Sequence, residues 1–142
     1  MKICLIYTLP VAKYYSDFFT GIPIRMKRSL EGKAELSVLY NGHLNVAKLE
    51  ECGIRAYPGP WAGRTDVSRV RLLCDTALAV RSLSRKTGIE VFMNANNHLL
   101  VFAPAVGARM AGKRFFARVT GTLEIQTPRS VKKKIKHWGK RQ

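Results

Sequence analysis

The chain has 142 residues, 46% of them hydrophobic, and a formal net charge of +16. That length suits one ordinary domain, and that apolar content excludes a low-complexity or disordered chain. Such a basic balance favours anionic partners, namely nucleic acid, an acidic membrane surface or phosphorylated small molecules.

The elements read in chain order. Lys2-Ile3-Cys4-Leu5-Ile6-Tyr7-Thr8 is a continuous apolar run. Little alternation predicts a strand buried on both faces, as in a parallel sheet. Residues 14–30 have mixed helical character, and Pro23 interrupts them. The expectation is a loop leading into a helix over residues 22–31, ended by Gly32. Glu35 to Tyr40 reads as a second strand, stopped by the turn pair Asn41-Gly42. A short helix over residues 44–52 follows, closed by Gly53, and then a short strand over residues 54–57. Pro58-Gly59-Pro60-Trp61-Ala62-Gly63 reads as a rigid, irregular loop.

The clearest helix spans residues 68–86. Leu72, Leu73, Thr76, Ala77, Val80 and Leu83 share one arc of its wheel, and Arg71, Asp75, Arg81, Arg85 and Lys86 the opposite one. Asp66 or Ser68 is placed to cap its start, and Gly88 follows its end. Ile89 to Met93 is a further strand, running into the polar cluster Asn94-Ala95-Asn96-Asn97-His98. Pro104 suits the first turn of a helix beginning near Ala103 and closed by Gly112. Lys113 to Thr120 is the last strand, broken by Gly121.

Strands thus alternate with helices. The expected fold is α/β, a Rossmann-like, mostly parallel sheet with helices on both faces. It comprises residues 1–128, followed by a basic C-terminal segment over residues 129–142. That segment carries seven Lys or Arg and no acid, and after Glu90 the chain's only acid is Glu124. Spaced i, i+4 and i+7, Val131, Ile135 and Trp138 would align on a helix, with Lys132, Lys133, Lys134, Lys136 and Lys140 in other directions. Such a segment suits an anionic membrane interface or a phosphate backbone. The plainer alternatives are a solvated terminus and an apolar stripe packed on its own domain.

Open parallel sheets bind ligands beyond the carboxyl ends of their strands. The expected substrate-binding residues are therefore Thr8, Asn94, Asn96, Asn97, His98, Thr120 and Gly121. Asn and His side chains make the directed hydrogen bonds that sugar hydroxyls and phosphates need. The competing reading is that the asparagines form the turn and cap the next helix. His98 is a weak candidate for a general base, because no carboxylate lies near it in sequence to orient it. His43 and His137 have weaker claims still.

Several classes lose support. There is no GxGxxG after the first strand, no GxxxxGK[ST] and no GxSxG. Cys4, Cys52 and Cys74 are far apart and form no Cys/His cluster, so neither a metal nor another cofactor is expected. They read as buried thiols of a reducing compartment, which places the protein in the cytoplasm. The apolar run from Ile3 to Leu9 is too short for a signal peptide or a membrane span.

Three segments carry a family resemblance. Met1 to Thr8 resembles the first strand of family-4 glycosyltransferases. Ile89 to Asn96 resembles their strand ending in a polar or histidine pair. Lys113 to Gly121, with Arg118-Val119-Thr120-Gly121, resembles their following strand and its terminal glycine. The resemblance implies the N-terminal, acceptor-binding domain of a two-domain GT-B enzyme. The C-terminal domain of that family binds the nucleotide sugar and carries a pair of glutamates, and nothing here corresponds to it. Hexosyl transfer would accordingly require a second domain or a partner chain. Two positions depart from the pattern. Leu9-Pro10-Val11-Ala12 stands where the family commonly has a Gly-Gly loop, and Thr120 where it often has histidine.

The implied partners are a sugar acceptor, which is often lipid-linked in this class, and a nucleotide-sugar donor only with the second domain. An anionic surface at the inner membrane face would engage the basic segment. The alternative is a basic nucleic-acid-binding protein or membrane-surface adaptor. Nucleic acid ranks behind, because the cations are not interleaved with aromatics in an RRM-like or OB-like pattern.

Overall fold

The computed structural model describes residues 1–95 and 102–117. Five strands and four helices alternate along them: β1 (Lys2–Val11), α1 (Ser16–Leu30), β2 (Glu35–Gly42), α2 (Val46–Glu51), β3 (Arg55–Ala62), α3 (Arg69–Lys86), β4 (Val91–Asn94), α4 (Phe102–Met110) and β5 (Arg114–Phe116). A short 3₁₀ turn over Lys13–Tyr15 leads into α1. The strands form one sheet in the order β3-β2-β1-β4-β5. Every pairing is parallel. The fold is the expected Rossmann-like α/β arrangement.

Side-chain alternation along β1 divides the core in two. Ile3, Leu5 and Tyr7 pack with Leu36, Val38, Ile24, Leu49 and Ile54 on the face covered by α1 and α2. Cys4 and Ile6 pack with Leu39, Val80, Phe92 and Ala108 on the face covered by α3 and α4. Burial on both faces explains the unbroken apolar run in β1. Each fully buried Leu or Ile contributes about 1.5–3 kcal/mol of transfer free energy.

On α3 the buried residues are Leu72, Thr76, Val80 and Ser84, spaced by four along the expected arc. Its neighbour α4 approaches closely because Gly107 has no side chain. A Cβ there would strike the Ala77 carbonyl and the Val80 side chain.

The structure differs from the sequence expectations at four places. First, α1 begins at Ser16 and runs through Pro23. A proline within a helix removes one donor, and here the Tyr7 hydroxyl donates to the Phe19 carbonyl that Pro23 leaves unpaired. Second, β3 continues through the Pro-Gly-Pro segment to Ala62 instead of looping out at Pro58. It lies at one edge of the sheet, where proline is tolerated. Third, β1 extends past Thr8 to Val11 and β2 past Tyr40 to Gly42, so Asn41 lies inside a strand and not in a turn. Fourth, Ser68 occupies the N-cap of α3 without a side-chain capping bond, and Asp66 pairs with Arg64 at 3.8 Å.

Only one cysteine matches the expected burial. Cys4 is buried, Cys52 is intermediate and Cys74 is exposed, because Cys74 falls on the outward side of α3. The strand expected over residues 113–120 is seen as Arg114–Phe116, and residues 118–120 lie outside the described residues.

Candidate functional site

Strand order reverses between β1 and β4, because β2 and β3 lie to one side of β1 and β4 and β5 to the other. Beyond the carboxyl ends of two such strands the connections diverge and leave a crevice. Thr8, within β1, and Asn94, the last residue of β4, lie on the two strands that flank this reversal. Ile6 of β1 is in register with Asn94 of β4, and the Ala95 amide donates to the Ile6 carbonyl at 2.8 Å. Thr8 lies two residues beyond Ile6 and so shares its face, the one covered by α3 and α4.

Both side chains are withdrawn from solvent, at 3% exposure each. Among the described residues the Thr8 hydroxyl has no hydrogen-bond partner. A buried orphan hydroxyl costs about 1–3 kcal/mol and calls for an explanation, such as a ligand group that completes it. The other expected binding residues, Asn96, Asn97, His98, Thr120 and Gly121, lie outside the described residues. So do Lys132, Lys133, Lys134, Lys136 and Trp138 of the basic segment.

Next to Thr8 stands a polar network that the sequence reading missed. Asn41, at 2% exposure, ends β2 beside β1. Its Nδ2 donates to the Thr8 carbonyl at 2.9 Å and to Thr76 Oγ1 at 3.2 Å. Its Oδ1 accepts from the Trp61 amide at 3.2 Å. Trp61 Nε1 in turn donates to Asp75 Oδ2 at 2.9 Å. The Arg64 guanidinium lies 4.9 Å from the Trp61 ring centroid, within cation–π range. One side chain therefore ties β1, β2, β3 and α3 together at the carboxyl edge. Gly59 makes room for it, since a Cβ there would strike Asn41 Oδ1. The available signal was Asn41 itself, an amide at a strand's carboxyl end. Reading Asn41-Gly42 as a turn hid it.

Burial holds two groups in their neutral forms. Burial pushes the Cys4 thiol up to about 12, against smaller downward pulls from Ser37 and the Leu39 backbone. Burial also raises Tyr40. Neither stands in the crevice. Among the described residues no three His, Cys, Asp or Glu side chains gather into a metal-binding group. No helix among them is long and apolar enough to cross a membrane.

A cavity of about 490 Å³ lies at the opposite edge, lined in part by Lys2, Lys27, Glu35 and Arg55. Its cations have structural work. Lys27 Nζ donates to the Cys52 carbonyl at 2.6 Å, and Lys2 pairs with Glu35 at 3.7 Å. The C-termini of α1 and α3, with Lys27, Arg28, Arg85 and Lys86 in their last turns, also face this end. Helix C-termini favour cations and oppose anions, so this edge is a poor anion site.

No protein-family model and no curated protein sequence matches the chain. Solved structures do match in fold. The C-terminal domain (residues 78–226) of the PF1911 hydrogenase from Pyrococcus furiosus superposes with a TM-score of 0.60 at 12% identity, over 83% of this chain and 90% of that one. A glycosyltransferase from Rickettsia africae gives 0.56 at 9% identity, over 86% of this chain and 32% of that one. MurG from Acinetobacter baumannii gives 0.53 at 11% identity, over 82% and 33%. At such identities the likeness is one of fold. The chain spans about a third of the length of both glycosyltransferase structures.

Proposed function

We propose that this chain is the acceptor-side half of a GT-B-type glycosyltransferase of family-4 character. Its crevice between β1 and β4 would take a sugar acceptor, and a second domain or partner would supply the nucleotide sugar. The observation that carries the reading is the orphan Thr8 hydroxyl beside Asn94 at the point where strand order reverses. The fold likeness to two glycosyltransferases supports it, as do the segments from Met1 to Thr8 and from Lys113 to Gly121.

The division of labour follows from chemistry. Thr8, Asn94, Asn96, Asn97 and His98 offer neutral hydrogen-bonding groups, suited to hydroxyls. A nucleotide diphosphate needs a helix N-terminus approached through a glycine-rich turn, or converging cations. The connection from β1 to α1, Ala12-Lys13-Tyr14-Tyr15, contains no glycine. Lys132, Lys133, Lys134 and Lys136 would hold the protein against an anionic membrane surface on the cytoplasmic side. A nucleic-acid partner gains no support from the crevice.

The test is a titration of the isotope-labelled chain with a short-chain polyprenyl-phosphate-linked sugar and, separately, with nucleotide sugars. Shifts confined to Thr8, Asn41, Asn94 and their neighbours, from the lipid-linked sugar alone, support the reading. Shifts at the amino edge of the sheet, or tight nucleotide-sugar binding by this chain alone, overturn it.

A further inference from the structure

The outer side of α4 is apolar and uncovered among the described residues. Ala103, Pro104, Gly107 and Ala108 face inward. Phe102, Val106 and Met110, spaced by four, face outward with exposures of 69%, 50% and 50%. Among the described residues α4 packs chiefly on α3, and also against β1, β4 and β5. A ladder of three large apolar side chains on one short helix is costly to leave in water, at about 25 cal/mol per Å² of apolar surface.

Topology indicates what lies next to it. The connections β3–α3–β4 and β4–α4–β5 place both helices on the same face, both steps running across the sheet in the same direction, from the β3 rim toward the β5 rim. Right-handed crossovers impose this placement. A chain leaving β5 and continuing as a helix falls on that same face, on the free side of α4. The segment that leaves β5 is this protein's own, and it contains Val131, Ile135 and Trp138 at i, i+4 and i+7. Residues 118–130 can reach roughly 40 Å when extended, at about 3.3 Å each, whereas a nine-residue helix is only about 14 Å long. Reach therefore imposes no limit.

We propose that Phe102, Val106 and Met110 on α4 form the docking surface for residues 129–142, with Val131, Ile135 and Trp138 seated on it. On a helix seated this way Lys133 and Lys136 point away from the domain, and Lys132 and Lys134 flank the docked stripe. Trp138 is covered by protein, and any contact with an anionic surface is electrostatic and salt-sensitive. The inference is independent of which ligand the crevice takes.

The experiment uses the full chain with Trp61→Phe, which leaves Trp138 as its single tryptophan. Acrylamide quenching is read in low-salt buffer without lipid. Trp138 should be shielded, and Val106→Asp should raise its quenching to that of free tryptophan. Leu78→Asp, at an exposed apolar position on α3, should leave it unchanged. Ile135→Asp, away from the described core, should reproduce the Val106→Asp result and keep the proposal testable if that variant loses its circular-dichroism signature. Free accessibility of Trp138 in the parent overturns the proposal, as does an equal effect of Leu78→Asp. Shielding that appears only with anionic vesicles assigns the stripe to lipid and overturns it too. A dimer in sedimentation that Val106→Asp dissolves assigns α4 to a second copy, with the same consequence.

Discussion

The Tyr7 hydroxyl donates to the Phe19 carbonyl, the carbonyl that a proline four residues later leaves without its helical donor. The two rings also meet edge to face, 5.8 Å apart. A sheet residue thus repairs the helix that packs over it, and α1 runs through Pro23 without a break.

Tyr7→Phe keeps the ring and removes the repair. Urea unfolding should show a loss of about 1–2 kcal/mol. Pro23→Ala restores a helical N–H for Phe19, so the loss should shrink in that background. An unchanged penalty in the double-mutant cycle would break the link between the two residues.

Asn41→Ala removes bonds to Thr8, Thr76 and Trp61 at once. The expected cost is about 2–4 kcal/mol, because the partners are left buried. Trp61 fluorescence should shift with the loss, since its amide is held by the same side chain. Gly59→Ala should be of similar severity, through its collision with Asn41 Oδ1.

Thr8→Val separates structure from function. The hydroxyl makes no hydrogen bond among the described residues, so removing it should stabilise the fold by about 1 kcal/mol or leave it unchanged. The same substitution should weaken binding of the lipid-linked sugar. A destabilised variant with intact binding would mean that the hydroxyl serves the fold and not a ligand.

Thiol chemistry should follow exposure. At neutral pH, Cys74 should react first with an aromatic disulfide reagent, Cys52 more slowly, and Cys4 only on unfolding. The Cys4 thiol is raised from 9.0 to about 12 in the folded chain, so the unfolded chain loses that proton first. Its contribution is complete below pH 9 and drains away as pH rises toward 12. Tyr40 shifts in the same direction and adds to alkaline instability. Thermal melts across that range should fall, and Cys4→Ala should flatten part of the slope.

Sugar transfer by the chain alone should be undetectable in a radiolabelled-donor assay, as the acceptor-side reading requires. Turnover of a nucleotide sugar would refute that reading outright.

The strands buried on both faces were legible because burial leaves an unbroken apolar run, as in Ile3 to Tyr7. The α3 arc was legible because one face repeats through Leu72, Thr76 and Val80. Local rules misread β3 and the first half of α1. Proline and glycine are breakers only where the lost donor has no substitute, and edge position or the Tyr7 hydroxyl supplies that tolerance. The Asn41 network was illegible because its partners lie between 20 and 35 residues away in sequence. Only the sheet order brings them together.

The two rims of the sheet are not equivalent. β3, the outer strand on one side, contains Pro58 and Pro60, which have no N–H to offer an incoming strand. β5, the outer strand on the other side among the described residues, has the sequence Arg114-Phe115-Phe116, with no proline to remove a donor. Sheet growth is therefore directional. An added strand, whether from a later part of the same polypeptide or from a neighbouring molecule, can extend the ladder past β5 but meets a closed rim at β3. Among the described residues, then, the β5 rim is the one that can accept a further strand, and the β3 rim is not.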